Sequence, residues 1–328
     1  MRDHGGNLDW AMARWGAGDW LDLSTGINRR PYPMPALSGD DLRALPTQAA
    51  QQALVAAARE AWTVAPDFAC LALGGAQAAI QLVPRLARAG RACVLAPTYN
   101  EHAACLRTEG WIVEDSRDLA ALEGADLAVI VNPNNPDGRC TAQPALHALA
   151  SRVGLLVVDE SFADPLPDLS LLPHHPPENL LVLRSFGKFY GLAGLRLGFA
   201  FGPERLIGRL AAMAGPWPVS GPALAAGRVA LGDRVWARMM RAQLAQDAAR
   251  ADTLAQAAGW DLVGGTPLFR LYHTPDAQAA QDHLARHHVW GRIFPWSSTL
   301  IRLGLPGGEG EWAQLAGALP RPSHGQVE

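Results

Sequence analysis

Of the 28 basic residues in this 328-residue chain, 27 are arginine and one, Lys188, is lysine. Arginine keeps its proton, whereas a lysine amine whose surroundings lower its pKa becomes a nucleophile able to form an imine with an aldehyde. Codon bias toward arginine would remove lysine wherever arginine is tolerated, and the survivor is then the amine that chemistry needs. Lys188 closes the run Leu183-Arg184-Ser185-Phe186-Gly187-Lys188 and is followed by Gly191-Leu192-Ala193-Gly194-Leu195-Arg196. A hydroxyl three residues before the amine and a guanidinium eight after it can hold a phosphate, which is the layout a pyridoxal phosphate site requires. Leu73-Gly74-Gly75-Ala76-Gln77 precedes a helical run, so open N–H groups and the positive end of a helix dipole would face an anion. Alone this is more simply an ordinary tight turn. With Ser185 and Arg196 it becomes the third element of a phosphate cup.

Val157-Val158-Asp159-Glu160-Ser161-Phe162 ends an aliphatic strand on acid. A carboxylate there can sit beneath a pyridine ring and keep its nitrogen protonated, although strand-end carboxylates also serve as helix caps or rim charges. Alternation alone does not decide whether Asp159 or Glu160 points inward. Val131-Asn132-Pro133-Asn134-Asn135-Pro136-Asp137-Gly138 is a rigid turn whose amides can donate to a ligand oxygen, and Pro97-Thr98-Tyr99 offers a ring that could stack on a planar cofactor. Each could equally be a plain turn or core filling.

The elements that position these residues read as stacked βα units around a mainly parallel sheet. Strands are expected at 92–95, 127–131, 155–158, 180–183 and 197–201, and helices at 48–62, 76–89, 101–109 and 141–153. Ligands of such sheets gather at the turns after the strands. From about Ala223 one long amphipathic helical stretch runs toward Ala258, followed by a β-containing segment from Asp261 to Gly304. The expected organisation is an N-terminal arm with part of a small domain (1–44), a large cofactor-binding domain (45–222) and a small C-terminal domain (223–328), with a mobile tail after Pro320. With 49% apolar residues the chain can fill a large core, and a net charge of −3 gives no field to hold a polyanion, so nucleic acid is not an expected partner. The uncharged stretch 210–227 is broken by Pro216, Pro218 and Pro222 and does not read as a membrane span. Arg2, Asp3 and His4 begin no secretion signal, and a cytoplasmic location is expected. Cys70, Cys93, Cys105 and Cys140 show no paired spacing for a metal or disulfide framework and are read as small buried apolar residues.

In this order the motifs resemble the fold type I pyridoxal phosphate enzymes of the aminotransferase superfamily, over nearly the whole chain. The resemblance implies an α/β large domain, a smaller α+β domain and a homodimer. It implies Lys188 as the lysine that binds the cofactor, Asp159 as partner of the pyridine nitrogen and Asn135 as donor to the 3′-oxygen. Tyr99 would stack on the ring, and Gly75, Ala76, Ser185 and Arg196 would hold the phosphate. Where the family has a tyrosine three residues after the aspartate, this chain has Phe162. Leu45-Pro46 replaces a tyrosine-proline that reaches into the partner's site, and Asp137 replaces a threonine and is expected to point outward.

Within the superfamily, His4-Gly5-Gly6-Asn7, Leu21-Asp22-Leu23-Ser24-Thr25-Gly26-Ile27-Asn28, Phe162 and Gly215-Pro216-Trp217-Pro218-Val219-Ser220 resemble the L-threonine-O-3-phosphate decarboxylases of cobalamin biosynthesis, relatives of the histidinol-phosphate aminotransferases. That likeness implies His4, Gly5, Gly26 and Asn135 around the substrate, Arg302 on its α-carboxylate and Arg292 on its phosphate. Two fixed anions on one small molecule need two separate guanidinium clamps. The expected reaction is decarboxylation of phosphothreonine. The alternatives are a histidinol-phosphate-type aminotransferase with the same residues and, in another class, a non-catalytic binding protein on this fold, against which an intact Lys188, Asp159 and Arg196 speak.

Overall fold

The computed structural model describes residues 4–320. Arg2, Asp3 and the tail expected to be mobile after Pro320 lie outside the described residues.

By its internal contacts the chain divides into two units. The larger comprises Pro31–Asn135 and Arg139–Arg238; the smaller comprises the stretch up to Arg30, Pro136–Gly138 and the stretch from Met239. The sequence boundaries at 44/45 and 222/223 followed composition and period. The contacts change instead at Arg30 and inside a continuous helix, where composition carries no signal.

The larger unit is built on seven strands: β1 (Ala69–Leu73), β2 (Arg91–Leu95), β3 (Ile112–Ser116), β4 (Leu127–Val131), β5 (Leu156–Asp159), β6 (Leu180–Ser185) and β7 (Gly198–Gly202). They lie in the order β1-β7-β6-β5-β4-β2-β3. β7 is antiparallel to both its neighbours and the other pairings are parallel. β1 and β3 were absent from the sequence expectation: β1 is alanine-rich, and β3, an edge strand, is half acidic or polar. All of β4 and β5 is buried, as expected of strands covered by helices on both faces. Leu127, Val129, Val157, Leu181 and Leu183 pack into one apolar cluster with the helices α1 (Ala76–Leu82) and α2 (Glu101–Thr108). Ala128, Ile130, Val158 and Val182, one residue out of phase, are buried with 0% exposure on the opposite face. Alternation therefore carries Asp159 and Ser185 to one side of the sheet and Glu160 and Arg184 to the other.

Two helices replace the single stretch expected after Ala223. One runs Gly221–Gly232 and the next Arg234–Ala257. The break is chemical: Gly232 ends the first, and Asp233 Oδ1 accepts the Trp236 N–H at 2.9 Å, starting the second with an aspartate cap. Ser220 caps the first helix through the Ala223 N–H.

In the smaller unit, β8 (Asp261–Thr266), β9 (Phe269–His273), β10 (Arg292–Phe294) and β11 (Ser297–Gly304) form an antiparallel sheet in the order β10-β11-β9-β8. Leu21–Asp22 pairs in parallel with Val289–Trp290, tying the N-terminal stretch into this unit. Among the described residues no helix is long and apolar enough to cross a membrane. Of the cysteines, Cys93 and Cys105 are buried, Cys70 is partly so, and Cys140 is exposed, against expectation, because it follows the turn that ends β4 rather than lying in a strand.

Candidate active site

One pocket of the larger unit is lined by Gly75, Ala76, Tyr99, Asn135, Asp159, Ser185, Lys188 and Arg196, all eight residues singled out as cofactor contacts, together with Gln77, Ser161 and Phe162. Asp159 and Ser185 end strands and Gly75, Tyr99, Asn135, Ser161 and Phe162 lie in the turns after them, whereas Ala76 and Gln77 open a helix, Lys188 sits in the short helix after β6 and Arg196 lies just before β7.

β5 delivers Asp159. Its Oδ1 accepts from the Ser161 N–H at 2.9 Å and the Ser161 hydroxyl at 2.5 Å, and its Oδ2 takes the Nε2–H of His102, on α2, at 2.8 Å. Burial by itself pushes this carboxyl up, but the bonds from His102 and Ser161 outweigh it and hold Asp159 below the usual carboxylate range. The site therefore contains a buried carboxyl biased toward its ionised form. Sequence reasoning missed both partners. The aspartate-x-serine spacing is a legible side-chain-to-backbone turn signal, but nothing marks a histidine 57 positions away as a ligand of Asp159.

Glu160 faces the other side. It accepts from Ser170 Oγ at 2.6 Å, the Leu171 N–H at 2.7 Å and Arg184 Nη1 at 3.1 Å. Arg184 also reaches Asp164 at 3.2 Å and lies 4.7 Å above the Trp62 ring, whose N–H donates to Asp164 at 2.7 Å. This buried ionic cluster links the ends of β5 and β6 from the face opposite the pocket. The choice left open by alternation falls on Asp159.

β6 ends at Ser185, and Lys188 sits in the four-residue helix Phe186–Phe189 that follows. Lys188 Nζ is 5.6 Å from the centre of the Phe162 ring, which has no hydroxyl to offer where the family carries a tyrosine. At the anion end, Gly75 has φ +86°, and a Cβ there would lie 2.8 Å from Arg196 Nη2, so only glycine leaves the guanidinium its place. Arg196 itself is left-handed (φ 52°, ψ 55°) and donates to the Ala193 carbonyl at 3.2 Å. Holding a non-glycine residue there costs about 1–3 kcal/mol, which the surrounding structure must supply.

The turns after β2 and β4 are cross-linked: Thr98 Oγ1 donates to Asn134 Oδ1 at 2.6 Å, and Asn134 Nδ2 to the Pro97 carbonyl at 2.9 Å. This fixes Tyr99 relative to Asn135. The Tyr99 hydroxyl donates to Gln77 Oε1 at 3.1 Å, and Gln77 Nε2 to Glu101 at 3.1 Å. Burial first, then the charges of Glu101 and Asp159, push the phenol up to about 12, so it stays protonated.

The residues expected around a substrate lie in the smaller unit, except Asn135. Arg292 and Arg302 stand directly opposite one another on β10 and β11. Like charges in that position repel, an arrangement that a bound anion relieves. Burial and then the Arg292 charge lower the Arg302 pKa, yet a guanidinium remains protonated at neutral pH. Arg302 Nη2 donates to the Ser24 carbonyl at 2.6 Å, and Gly26, two residues on, is buried. Gly5 packs against Ser24, and His4 is exposed.

The aminotransferase class I and II family model matches residues 22–311. The chain belongs to this family. It is 41% identical over 99% of its length to the whole of the threonine-phosphate decarboxylase of Pseudomonas aeruginosa. It is 42% identical to that of a Sinorhizobium species, with 97% of each chain covered. In structure it is similar to the histidinol-phosphate aminotransferase from Sinorhizobium meliloti in complex with pyridoxal-5'-phosphate, with a TM-score of 0.81 and 20% identity over 95% of this chain and 93% of that one. The fold is that of the type I pyridoxal phosphate enzymes, and pyridoxal phosphate is the family cofactor.

The lining fits that cofactor on its own geometry. The glycine cradle at Gly75 admits a phosphate beside Arg196 and Ser185, an amine stands at Lys188, and a buried carboxylate stands at Asp159. Of the two departures from the family pattern besides Phe162, Leu45 is 64% exposed. Asp137 does not line the pocket, and its carbonyl backs onto Gly264.

Proposed function

We propose that this family member decarboxylates L-threonine O-3-phosphate to (R)-1-aminopropan-2-yl phosphate, a step of cobalamin biosynthesis, using pyridoxal phosphate. The observation that carries the substrate assignment is the 41% and 42% identity, over essentially the whole length of both chains, to two threonine-phosphate decarboxylases. The pocket supports the cofactor chemistry.

When bound, pyridoxal phosphate supplies an electron-withdrawing ring that accepts the electron pair left when the Cα–carboxylate bond breaks and carbon dioxide departs. Lys188 Nζ anchors the cofactor, yields its place to the substrate amine and returns a proton to Cα, so that the sum is loss of carbon dioxide and gain of one proton. Asp159, held ionised by His102 and Ser161, keeps the ring nitrogen protonated. Asn135 donates to the 3′-oxygen in place of the hydroxyl that Phe162 lacks, and Tyr99, braced by Gln77, covers the ring face. Gly75, Ala76, Ser185 and Arg196 bind the cofactor phosphate. Arg302 takes the substrate carboxylate and Arg292 its phosphate, with His4, Gly5 and Gly26 beside them. By fixing where the carboxylate sits, Arg302 would select its loss over loss of the Cα proton. The family resemblance supports a homodimer.

The test is incubation with phosphothreonine and no keto-acid acceptor. Catalytic release of carbon dioxide is expected. Stoichiometric conversion of the cofactor to its pyridoxamine form without gas would hand the protein to the histidinol-phosphate-type aminotransferase reading.

A further inference from the structure

We infer that Ser24 is the positioning residue of the substrate clamp, holding the His4–Gly6 segment and the Arg302 guanidinium in one frame. The inference rests on the decarboxylase reading. Ser24 is 1% exposed, and its N–H, hydroxyl and carbonyl are all hydrogen-bonded. Its hydroxyl donates to Asp22 Oδ1 at 2.6 Å, and its N–H donates to the same oxygen at 2.9 Å. With its proton committed to Asp22, the hydroxyl offers a lone pair to the Gly6 N–H, which donates at 2.7 Å. The Ser24 carbonyl accepts from Arg302 Nη2 at 2.6 Å. One residue thus grips the glycine segment with its side chain and the arginine with its backbone.

The turn carrying Ser24 is itself anchored. The Leu23 N–H donates to the Trp290 carbonyl at 2.8 Å and the Leu23 carbonyl accepts from the Gly304 N–H at 2.6 Å, so the turn is pinned to strand ends on both sides. The glycine segment can approach only because Gly5 lacks a side chain: a Cβ there would lie 2.3 Å from the Ser24 carbonyl oxygen, the same atom that holds Arg302. The charges facing Arg302 are Arg292, opposite it in the sheet, and Asp22. Asp22 both orients Ser24 and offsets the repulsion between the arginines. A shift of Ser24 therefore moves two substrate elements together, and should alter the pose of the carboxylate as well as its affinity.

The test uses the cofactor-loaded enzyme and phosphothreonine. Ser24→Ala should speed hydrogen exchange at the Gly6 amide, raise KM about fivefold to tenfold, the worth of one lost hydrogen bond, and lower kcat less. It should also raise the fraction of turnovers ending in the pyridoxamine form, a partition that a merely structural role would not move. The visible cofactor spectrum should be unchanged, which reports that the fold is intact. Gly5→Ala, whose Cβ would crowd the Ser24 carbonyl oxygen at 2.3 Å and its hydroxyl at 3.2 Å while keeping the serine, should shift KM and partition in the same direction and serves if Ser24→Ala does not fold. Wild-type KM and partition in a folded variant would overturn the role of Ser24. Wild-type enzyme that consumes phosphothreonine without releasing carbon dioxide would overturn the decarboxylase reading alone, since the KM shift is still measured on whichever product forms.

Discussion

Replacing Arg184 with methionine should cost the fold about 3–5 kcal/mol, the range for removing one partner of a fully buried ion pair. The size follows from what is left behind. Arg184 is 1% exposed and bonded to Glu160 at 3.1 Å and Asp164 at 3.2 Å. Methionine would keep much of the packing on Trp62 but leave the Glu160 charge buried with only neutral donors, those of Ser170 and Leu171, in place of a cation. Burial already holds the Glu160 carboxyl above its ordinary range despite Arg184, and without the cation it must rise further. An acid whose folded pKa is raised contributes stability that is present below its unfolded pKa and lost as pH rises through the folded value. The deficit of Arg184→Met against wild type should therefore be larger at pH 8 than at pH 5. Urea unfolding of the cofactor-loaded enzyme at the two pH values, followed by tryptophan fluorescence, measures both. Adding Glu160→Gln and Asp164→Asn should recover most of the loss, because the desolvation penalty leaves with the charges. A deficit under about 1 kcal/mol, or a triple variant less stable than Arg184→Met, would refute the view that this cluster is an uncompensated-charge hazard held in balance by one guanidinium.

Lys188→Ala should abolish both the visible absorption of the lysine-bound cofactor and turnover; borohydride reduction of the wild type followed by peptide mapping should place the label on Lys188 and nowhere else. Asp159→Asn should lower kcat by about 10²-fold or more, as losing a buried electrostatic partner does, while Glu160→Gln mainly affects stability; steady-state kinetics that reverse this order would mean that the wrong carboxylate has been chosen. Because the Asp159 carboxyl lies below its ordinary pKa of about 4, its contribution to stability is present above that value and lost as pH falls through the lower folded pKa, so an acid titration of Asp159→Asn should be flatter than that of wild type. Arg292→Ala should weaken binding of phosphothreonine far more than of threonine, whereas Arg302→Ala should weaken both; equal effects of Arg292→Ala in calorimetry would remove it from the phosphate site.

The parts of the site legible in the sequence were those where chemistry left a local mark. Lys188 was marked by scarcity, Ser185 and Arg196 by their spacing from it, and Gly75 by its place before a helix. The central strands were legible because burial on both faces demands an unbroken aliphatic run. The same double burial hid which of Asp159 and Glu160 faces the pocket: in a strand that is dry on both sides, a polar residue is equally anomalous on either. His102 was invisible for another reason: it is an ordinary polar residue until the fold sets its helix against Asp159 at the end of β5, whereas Asp22, two residues before Ser24, carries the same local spacing as Asp159 and Ser161. The break at Asp233 was present as a glycine-aspartate pair but was overridden by the helical period on both sides. Cys140 was misjudged because residue type was used in place of position.

A chain with a single lysine has a property unrelated to catalysis. A protease specific for lysine finds one bond to cut, Lys188–Phe189, and that bond lies in a short helix whose Phe189 ring is fully buried and packed against Tyr190 and Trp236. The folded protein should resist such an enzyme entirely, and each molecule that opens should yield just two fragments, residues 1–188 and 189–328. Digestion then counts openings of the pocket one by one. Amine-reactive dyes are restricted in the same way: beyond the chain's own α-amino group they have a single target, so dye uptake measures how many sites stand without their aldehyde.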